Sequence, residues 1–296
     1  MKPQTGGRKK VDAYWYLLLI PIFAVLSVVE FYPLLYGVYL SITGPNGGLT
    51  SGNYSQLLEN RDFWNSVAVS LTYSTMSTAI AIGIGLGLTF LVTQQVRGRS
   101  VFEAIFILPL AVAPIAVGIM WGPSAVWDDV QTFSVFILHL PYFQEASVLF
   151  YFPVMAGSDA WEWAPLIMLV ALSVINSAPK EIYEAARLHG ASSWQLFTRV
   201  IVPTVLTSPV MQFVLVLRFI DAMRAFEIPL AWSTWVGLTT SIGSPADTLS
   251  LYLYKLLFIP SFGFPLSLVS AAAVVLLSVT LVAATVMIRL LGSIGK

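Results

Sequence analysis

Four charges recur at three-residue intervals in an otherwise apolar stretch: Arg218, Asp221, Arg224 and Glu227. On a continuous helix that spacing lays them in a slowly drifting row along one face, alternating in sign so that neighbours neutralise each other. Charge among apolar residues is costly unless it faces protein or water. The row is therefore either the lining of a polar path or hinge, or a structural ladder of ion pairs, and both readings stay open on spacing alone. A second group, Asp159, Trp161, Glu162 and Trp163, interrupts another apolar stretch. A carboxylate accepts hydrogen bonds from hydroxyls and an aromatic face covers the apolar face of a pyranose, so Asp159, Trp161 and Trp163 suit a sugar-like ligand. The competing reading makes the tryptophans part of an interfacial belt.

Other chemistry is missing from the chain. There is no cysteine, so no disulfide, thiolate nucleophile or thiolate metal site can be built. His139 and His189 are the only histidines and fall on opposite sides of the expected topology, which denies them a joint metal site or proton relay. No G-x-x-x-x-G-K-[ST] phosphate loop and no G-x-S-x-G elbow occurs, so neither ATP binding nor hydrolase chemistry is expected of this chain. Catalytic residues, metal and cofactor are all expected to be absent. The zero formal net charge argues against nucleic acid as a partner, since phosphate binding needs a basic excess.

The elements that must position these groups are membrane helices. With 57% apolar and 10% charged residues and a mean hydropathy of +0.81, the chain reads as an all-α polytopic membrane protein, one domain without internal repeats. Six transmembrane helices are expected over 13–40, 66–92, 101–121, 146–175, 204–231 and 265–291, after a basic tail at 1–12. The first is too long for a cleaved signal. Gly83, Gly85 and Gly87 should allow close helix approach, Pro109 and Pro114 should kink the third span, and Pro153 and Gly157 should interrupt the fourth. Residues 41–64 and 122–144 read as external segments, the latter suited to lying in the interface, and Trp232, Trp235 and GSPAD as an external loop. Six spans put both termini on one side, with Lys2, Arg8, Lys9, Lys10, Arg97, Arg99, Lys180, Arg187, Arg199, Arg289 and Lys296. That is eleven of the fifteen basic residues, which makes the side cytoplasmic.

One polar interval, 179–203, has its own design. Glu181, Glu184 and Arg187 mark the polar side of a short helix on which Ile182, Ala185, Ala186 and His189 recur at helical spacing. Gly190 supplies the left-handed stop, and Ser192 with Gln195 forms a capping box for a second helix. Trp194, Phe197 and Ile201 give that helix an apolar stripe, and Pro203 marks the handover to the fifth span. Two helices at an angle result, cytoplasmic by the charge count; a plain amphipathic connector on the bilayer surface is the alternative.

This layout resembles the EAA loop of permease subunits of ATP-binding-cassette importers. Glu184, Ala185, Ala186, Gly190, Ala191, Ser192, Phe197 and Pro203 fall in register, while His189 stands where that family usually carries an aspartate. The FYPLLYGVYLSIT sequence closing the first span resembles the family's first core helix. The resemblance implies a type I importer permease fold with 179–203 as the coupling loop. It further implies a permease subunit of an ATP-driven, solute-binding-protein-dependent importer, carrying a mono- or oligosaccharide by alternating access across a prokaryotic plasma (inner) membrane. ATP and Mg would sit on two separate ATPase subunits, and an extracytoplasmic solute-binding protein would deliver the sugar. A second permease subunit would complete a heterodimer, as the sugar branch usually does, although a homodimer fits the sequence equally well. Glu184 would meet a basic residue of the ATPase. In the sugar-importing branch the substrate is held at positions that fall on Asp159, Trp163, Phe219 and Met223. An ion-gradient-driven secondary transporter is the alternative, disfavoured by the small span count, the missing inverted repeat and the EAA-like loop.

Overall fold

The computed structural model describes residues 13–94, 98–122, 148–235, 242–244, 246–259 and 264–294. The expected N-terminal tail, His139 and all but the first residue of the external segment 122–144 lie outside these. Among the described residues the fold is helical, with one isolated bridge between Thr43 and Leu49. In chain order the α-helices are α1 (Ala13–Leu26), α2 (Tyr32–Ser41), α3 (Gly52–Glu59), α4 (Arg61–Thr93), α5 (Arg99–Ile107), α6 (Pro114–Met120), α7 (Val148–Ser177) and α8 (Lys180–Leu188). There follow α9 (Ser193–Leu196), α10 (Val202–Thr207), α11 (Pro209–Met223), α12 (Glu227–Trp235), α13 (Leu249–Phe258) and α14 (Leu266–Ile294).

Among the described residues, four helical stretches, Leu19–Ser41, Arg61–Thr93, Phe152–Ser177 and Leu266–Ser293, are long and apolar enough to cross a membrane, and two bent pairs are so jointly, which makes up to six. Proline decides where the bends fall. Ala113 is extended before Pro114 and Ser208 is extended before Pro209, as the steric demand of a proline ring on the preceding residue requires. The resulting bends are 100° between 100–111 and 114–120, and 72° between 193–207 and 209–234. The third span is thus broken outright rather than kinked, and the turn into α11 lies at Ser208 rather than at Pro203. Pro33 and Pro203 are instead accommodated inside helices. Each follows a π-helical turn, Ser27–Phe31 and Phe197–Ile201, in which the i→i+5 bonding relieves the clash of the ring with the preceding turn. The helix of the fourth expected span continues through Pro153 and Gly157 without interruption.

The bundle is organised on the close packing of α4 against α7. Ser77, Ala81 and Gly85 of α4 are buried against α7, small side chains at three- and four-residue intervals that let the two helices approach closely, while Ser70 and Ser74 on the same helix bond to the Leu249 amide and the Met223 sulfur. Of the three glycines only Gly85 is needed for that approach: a Cβ there would lie 2.7 Å from Cβ of Ile167, whereas Gly83 and Gly87 face open space. A hydrophobic core cluster of Ala81, Ala160, Ile167, Leu196, Phe197, Ile201, Val205, Met211 and Leu215 roots the segment after Ser192 into this pair.

The segments expected as loops contain two further helices. α3 packs against α14 and α4, and α13 packs against both α14 and α4. Trp232, expected in a loop, is buried in α12.

Candidate functional site

The charge row does not lie on one helix. α11 ends at Met223, Arg224 caps it, and α12 begins at Glu227. Pro229 explains the break, because within a continuous helix its ring would clash with the carbonyl of Ala225, whereas in the first turn of a new helix it is tolerated. The carbonyls freed at the break are satisfied from elsewhere. Thr248 Oγ1 donates to the Ala225 carbonyl at 2.8 Å and Ser250 Oγ to the Arg224 carbonyl at 3.1 Å, which fastens the start of α13 to the end of α11. From within α13, Lys255 Nζ donates to Asp247 Oδ1 at 2.6 Å, and the other carboxylate oxygen of Asp247 accepts from the Ser244 amide at 3.1 Å.

Arg218 is fully buried, and its principal partner lies on α7 rather than in the row. Nη2 donates to Asp159 Oδ2 at 2.5 Å and to Ser77 Oγ at 2.5 Å, and Ser77 itself donates to Asp159 Oδ2 at 2.7 Å. The guanidinium also sits 5.1 Å from the centroid of Trp163, over its ring. Within the row its only contact is a weak one to Asp221 Oδ2 at 3.5 Å, and the Asp221 side chain is 55% exposed. No ion pair joins Asp221 to Arg224 or Arg224 to Glu227 among the described residues, and the ladder reading is corrected accordingly: one buried knot and three outlying charges. Glu162 is also buried, one turn beyond Asp159, with Oε2 unpartnered among the described residues.

The residues singled out for sugar contact are separated by the fold. Asp159 and Trp163 meet, but on Arg218, which takes up the carboxylate and covers the ring. Trp161 packs against Trp121 with centroids 5.7 Å apart. Phe219 lines an apolar groove of about 710 Å³ with Ile82, Val282 and Val286, and Met223 is fully buried with its sulfur accepting from Ser74 Oγ at 3.1 Å. Asp221, Arg224 and Glu227 converge instead on a polar cavity of about 380 Å³ beside α13. Ser77 and the Asp247–Lys255 pair escaped the sequence reading, and Glu162 was named in the polar group without a role of its own. The repeat of small residues in α4 was the one signal that could have drawn attention to Ser77.

The 179–203 segment has the geometry its spacing suggested. α8 stops at Gly190, whose φ of +80° is the left-handed conformation glycine tolerates. Ser192 Oγ accepts from the Gln195 amide at 3.2 Å and Gln195 Oε1 accepts from the Ser192 amide at 2.9 Å, a complete capping box. Phe197 and Ile201 are buried, while Trp194 stays exposed and leans edge-on against Phe90 at 5.4 Å. Glu184 and Ala185 are exposed, Ala186 and Ala191 half-buried. Leu188, at the tip, is 87% exposed. Glu184, Arg187 and Tyr183 also line a cavity of about 280 Å³ against Thr93 and Asn176. The Tyr183 hydroxyl has no partner there among the described residues, and burial raises its pKa.

Comparison with known proteins adds an independent line. The trehalose/maltose transport system permease protein MalF of Thermococcus litoralis is 28% identical over 245 residues, covering 77% of this chain and 80% of that protein. The trehalose transport system permease protein SugA of Mycobacterium tuberculosis is 24% identical over 300 residues, covering 98% and 92%. Among solved structures, a chain of the bacterial alginate ABC transporter in complex with an alginate pentasaccharide-bound periplasmic protein superposes with a TM-score of 0.77 at 21% identity, covering 96% of each chain, which shows the shared fold. A profile of the binding-protein-dependent transport system inner membrane component family matches residues 79–293, most of the chain, and the chain belongs to that family.

Proposed function

We propose that this chain is the permease subunit of an ATP-driven importer that moves a mono- or oligosaccharide across a prokaryotic plasma membrane by alternating access. The observation that carries the coupling half of this reading is the exposed tip of 180–192. A short helix ended by Gly190 presents Glu184 and Leu188 to solvent, while the following turn is anchored in the core by Leu196, Phe197 and Ile201. An apolar side chain 87% exposed at the end of a rooted lever is suited to a cleft on another protein. In this reading both termini and residues 179–203 are cytoplasmic, and six spans cross the membrane. Two ATPase subunits carry ATP and Mg, and one of them grips the loop, with Glu184 paired to one of its basic residues. Its closure tilts α7 and α10 as rigid bodies through the shared core. A second, unlike permease subunit and an extracytoplasmic binding protein complete the assembly. The saccharide assignment is supported by the trehalose, maltose, lactose and starch-product systems for which relatives are named.

Co-expression with the ATPase subunits tests the reading. The intact chain should co-purify with them and import saccharide into proteoliposomes only with ATP, and Glu184→Arg should weaken the association. Import by the isolated chain without any ATPase, or labelling of 179–203 from the outer face, would overturn it.

A further inference from the structure

The face around the junction of α11 and α13 has two sides with opposite demands. One side is charged. Asp221, Arg224 and Glu227 are exposed around the cavity of about 380 Å³, and Arg224 and Glu227 enter no ion pair among the described residues. α11 has 15 residues, so Arg224 lies about 22 Å along the fifth span, within the roughly 30 Å of hydrocarbon that a spanning helix crosses. The other side is apolar. α13, with ten residues, is too short to span, and it buries Leu251, Tyr252 and Leu256 while turning Tyr254, Leu257 and Phe258 outward, the last 62% exposed. Phe226, on the cavity wall, joins the two sides: its ring stands 5.2 Å from that of Tyr254, which stands 5.0 Å from that of Phe258. Lipid tails suit the rings but not three charges. Water suits the charges but not a continuous apolar stripe. A protein surface suits both, since aromatic groups at the centre and charges at the edge are the ordinary make-up of a contact between chains.

We propose that this face is the seam with a second permease chain, unlike this one, that brings a lysine or arginine to Asp221 and Glu227 and an apolar helix face to Tyr254, Leu257 and Phe258. Charge decides against a second copy. Two acids outnumber one arginine here, and a two-fold axis would set the same excess against itself, leaving two of the four acids without a cation at membrane depth. No other base of this chain is at hand to make up the difference: Arg218 is committed to Asp159, and Lys255 is turned inward onto Asp247. An extra cation on the facing chain removes the excess. The hydroxyl tethers from Thr248 and Ser250 fasten α13 to the end of α11, so the facing chain meets rings and charges as one surface. The inference rests on the importer reading, in which an unlike permease is present, and adds where that chain seats and what it must carry.

The test compares the assembled transporter, this chain with its permease partner and both ATPases, with this chain purified alone. Because the chain has no native cysteine, Leu257→Cys and Phe258→Cys report on the face directly. In the assembly both should react with a water-soluble maleimide at least tenfold more slowly than in the chain alone, and a spin label on either should show little access to oxygen dissolved in the bilayer. Glu227→Lys should lower co-purification of the partner permease more than tenfold and Phe258→Ala severalfold. The melting temperature of the chain alone should change little in both, since these side chains are exposed in it. Full maleimide reactivity in the assembly would make the face a water-lined path, high oxygen access would make it a lipid-facing one, and protection within a dimer of this chain alone would make it a self-contact; each overturns the seam. Parental co-purification in both Glu227→Lys and Phe258→Ala would do the same. In all these cases the importer reading stands so long as the parent assembly imports saccharide with ATP, whereas a parent that neither binds a second permease nor imports would overturn that reading and the seam with it.

Discussion

Segment 180–201 and the Arg218 knot hold their shapes by opposite means. In the segment the turn itself is set locally, Gly190 turning the chain and Ser192 and Gln195 satisfying each other's amides three residues apart, and only its far end, at Leu196, Phe197 and Ile201, is rooted in the core. Around Arg218 every strong contact is distant, Asp159 lying 59 positions away in sequence and Ser77 lying 141. The helix before Gly190 presents a bare Leu188 to solvent, while the knot is buried. A part built from local contacts can swing as a unit without losing its form. A part built across three helices fixes those helices relative to one another, so motion imposed at the segment must pass around the knot rather than through it.

The sharpest way to break this comparison is at the knot. Asp159→Ala leaves a fully buried guanidinium with only Ser77, Trp163 and a 3.5 Å contact to Asp221, and should cost about 3–5 kcal/mol. Thermal unfolding of the purified chain in detergent measures it. Adding Arg218→Met should restore most of the loss, since a buried pair replaced by apolar groups of similar size is often neutral. A single variant as stable as the parent would mean that water reaches Arg218 and that the site is not dry.

At the segment the effects are smaller and of a different kind. A Cβ added at Gly190 meets nothing within 4 Å, so the cost of Gly190→Val is chiefly the left-handed backbone, about 1–2 kcal/mol. It should leave the membrane helices inserted and abolish ATP-driven import, which vesicle assays read directly; normal import would show that the turn is not the pivot. Ser192→Ala removes one half of the capping box and should cost about 1 kcal/mol locally. Faster amide exchange at Gln195 without a change in global unfolding is the expected record.

The contrast also explains how much of the molecule was legible beforehand. Capping residues, Gly190 and the long apolar stretches act through neighbours in sequence, so helix positions and the turn could be read from spacing. The charge row was misread because spacing says which residues could share a helix face, not whether the helix survives. Pro229, five residues past Arg224, was the visible reason that it does not. Asp159 and Trp163, singled out for a sugar, both meet Arg218 instead, and no pattern in the chain announces that contact between α7 and α11. The cavity at Asp221, Arg224 and Glu227 depends on α13, a ten-residue helix inside a stretch whose Gly, Ser and Pro content reads as loop.

The smallest stability effect is expected at the most exposed residue of the segment, and it separates the two regions most cleanly. Leu188→Glu removes an apolar side chain that touches little of its own chain, so unfolding should shift by no more than about 0.5 kcal/mol. The same change places a charge where the proposed ATPase cleft would have to bury it, and should lower co-purification of the ATPase severalfold. Set beside Asp159→Ala, the pair forms a double contrast. One variant should unfold the chain in proportion to its burial, while the other should leave the chain intact and silence it by losing its motor. If Leu188→Glu proves as destabilising as a core substitution, the tip is packed against this chain itself and is not free to be gripped; if it still assembles fully with the ATPase, the contact is made elsewhere on 179–203, and Glu184 becomes the next position to change.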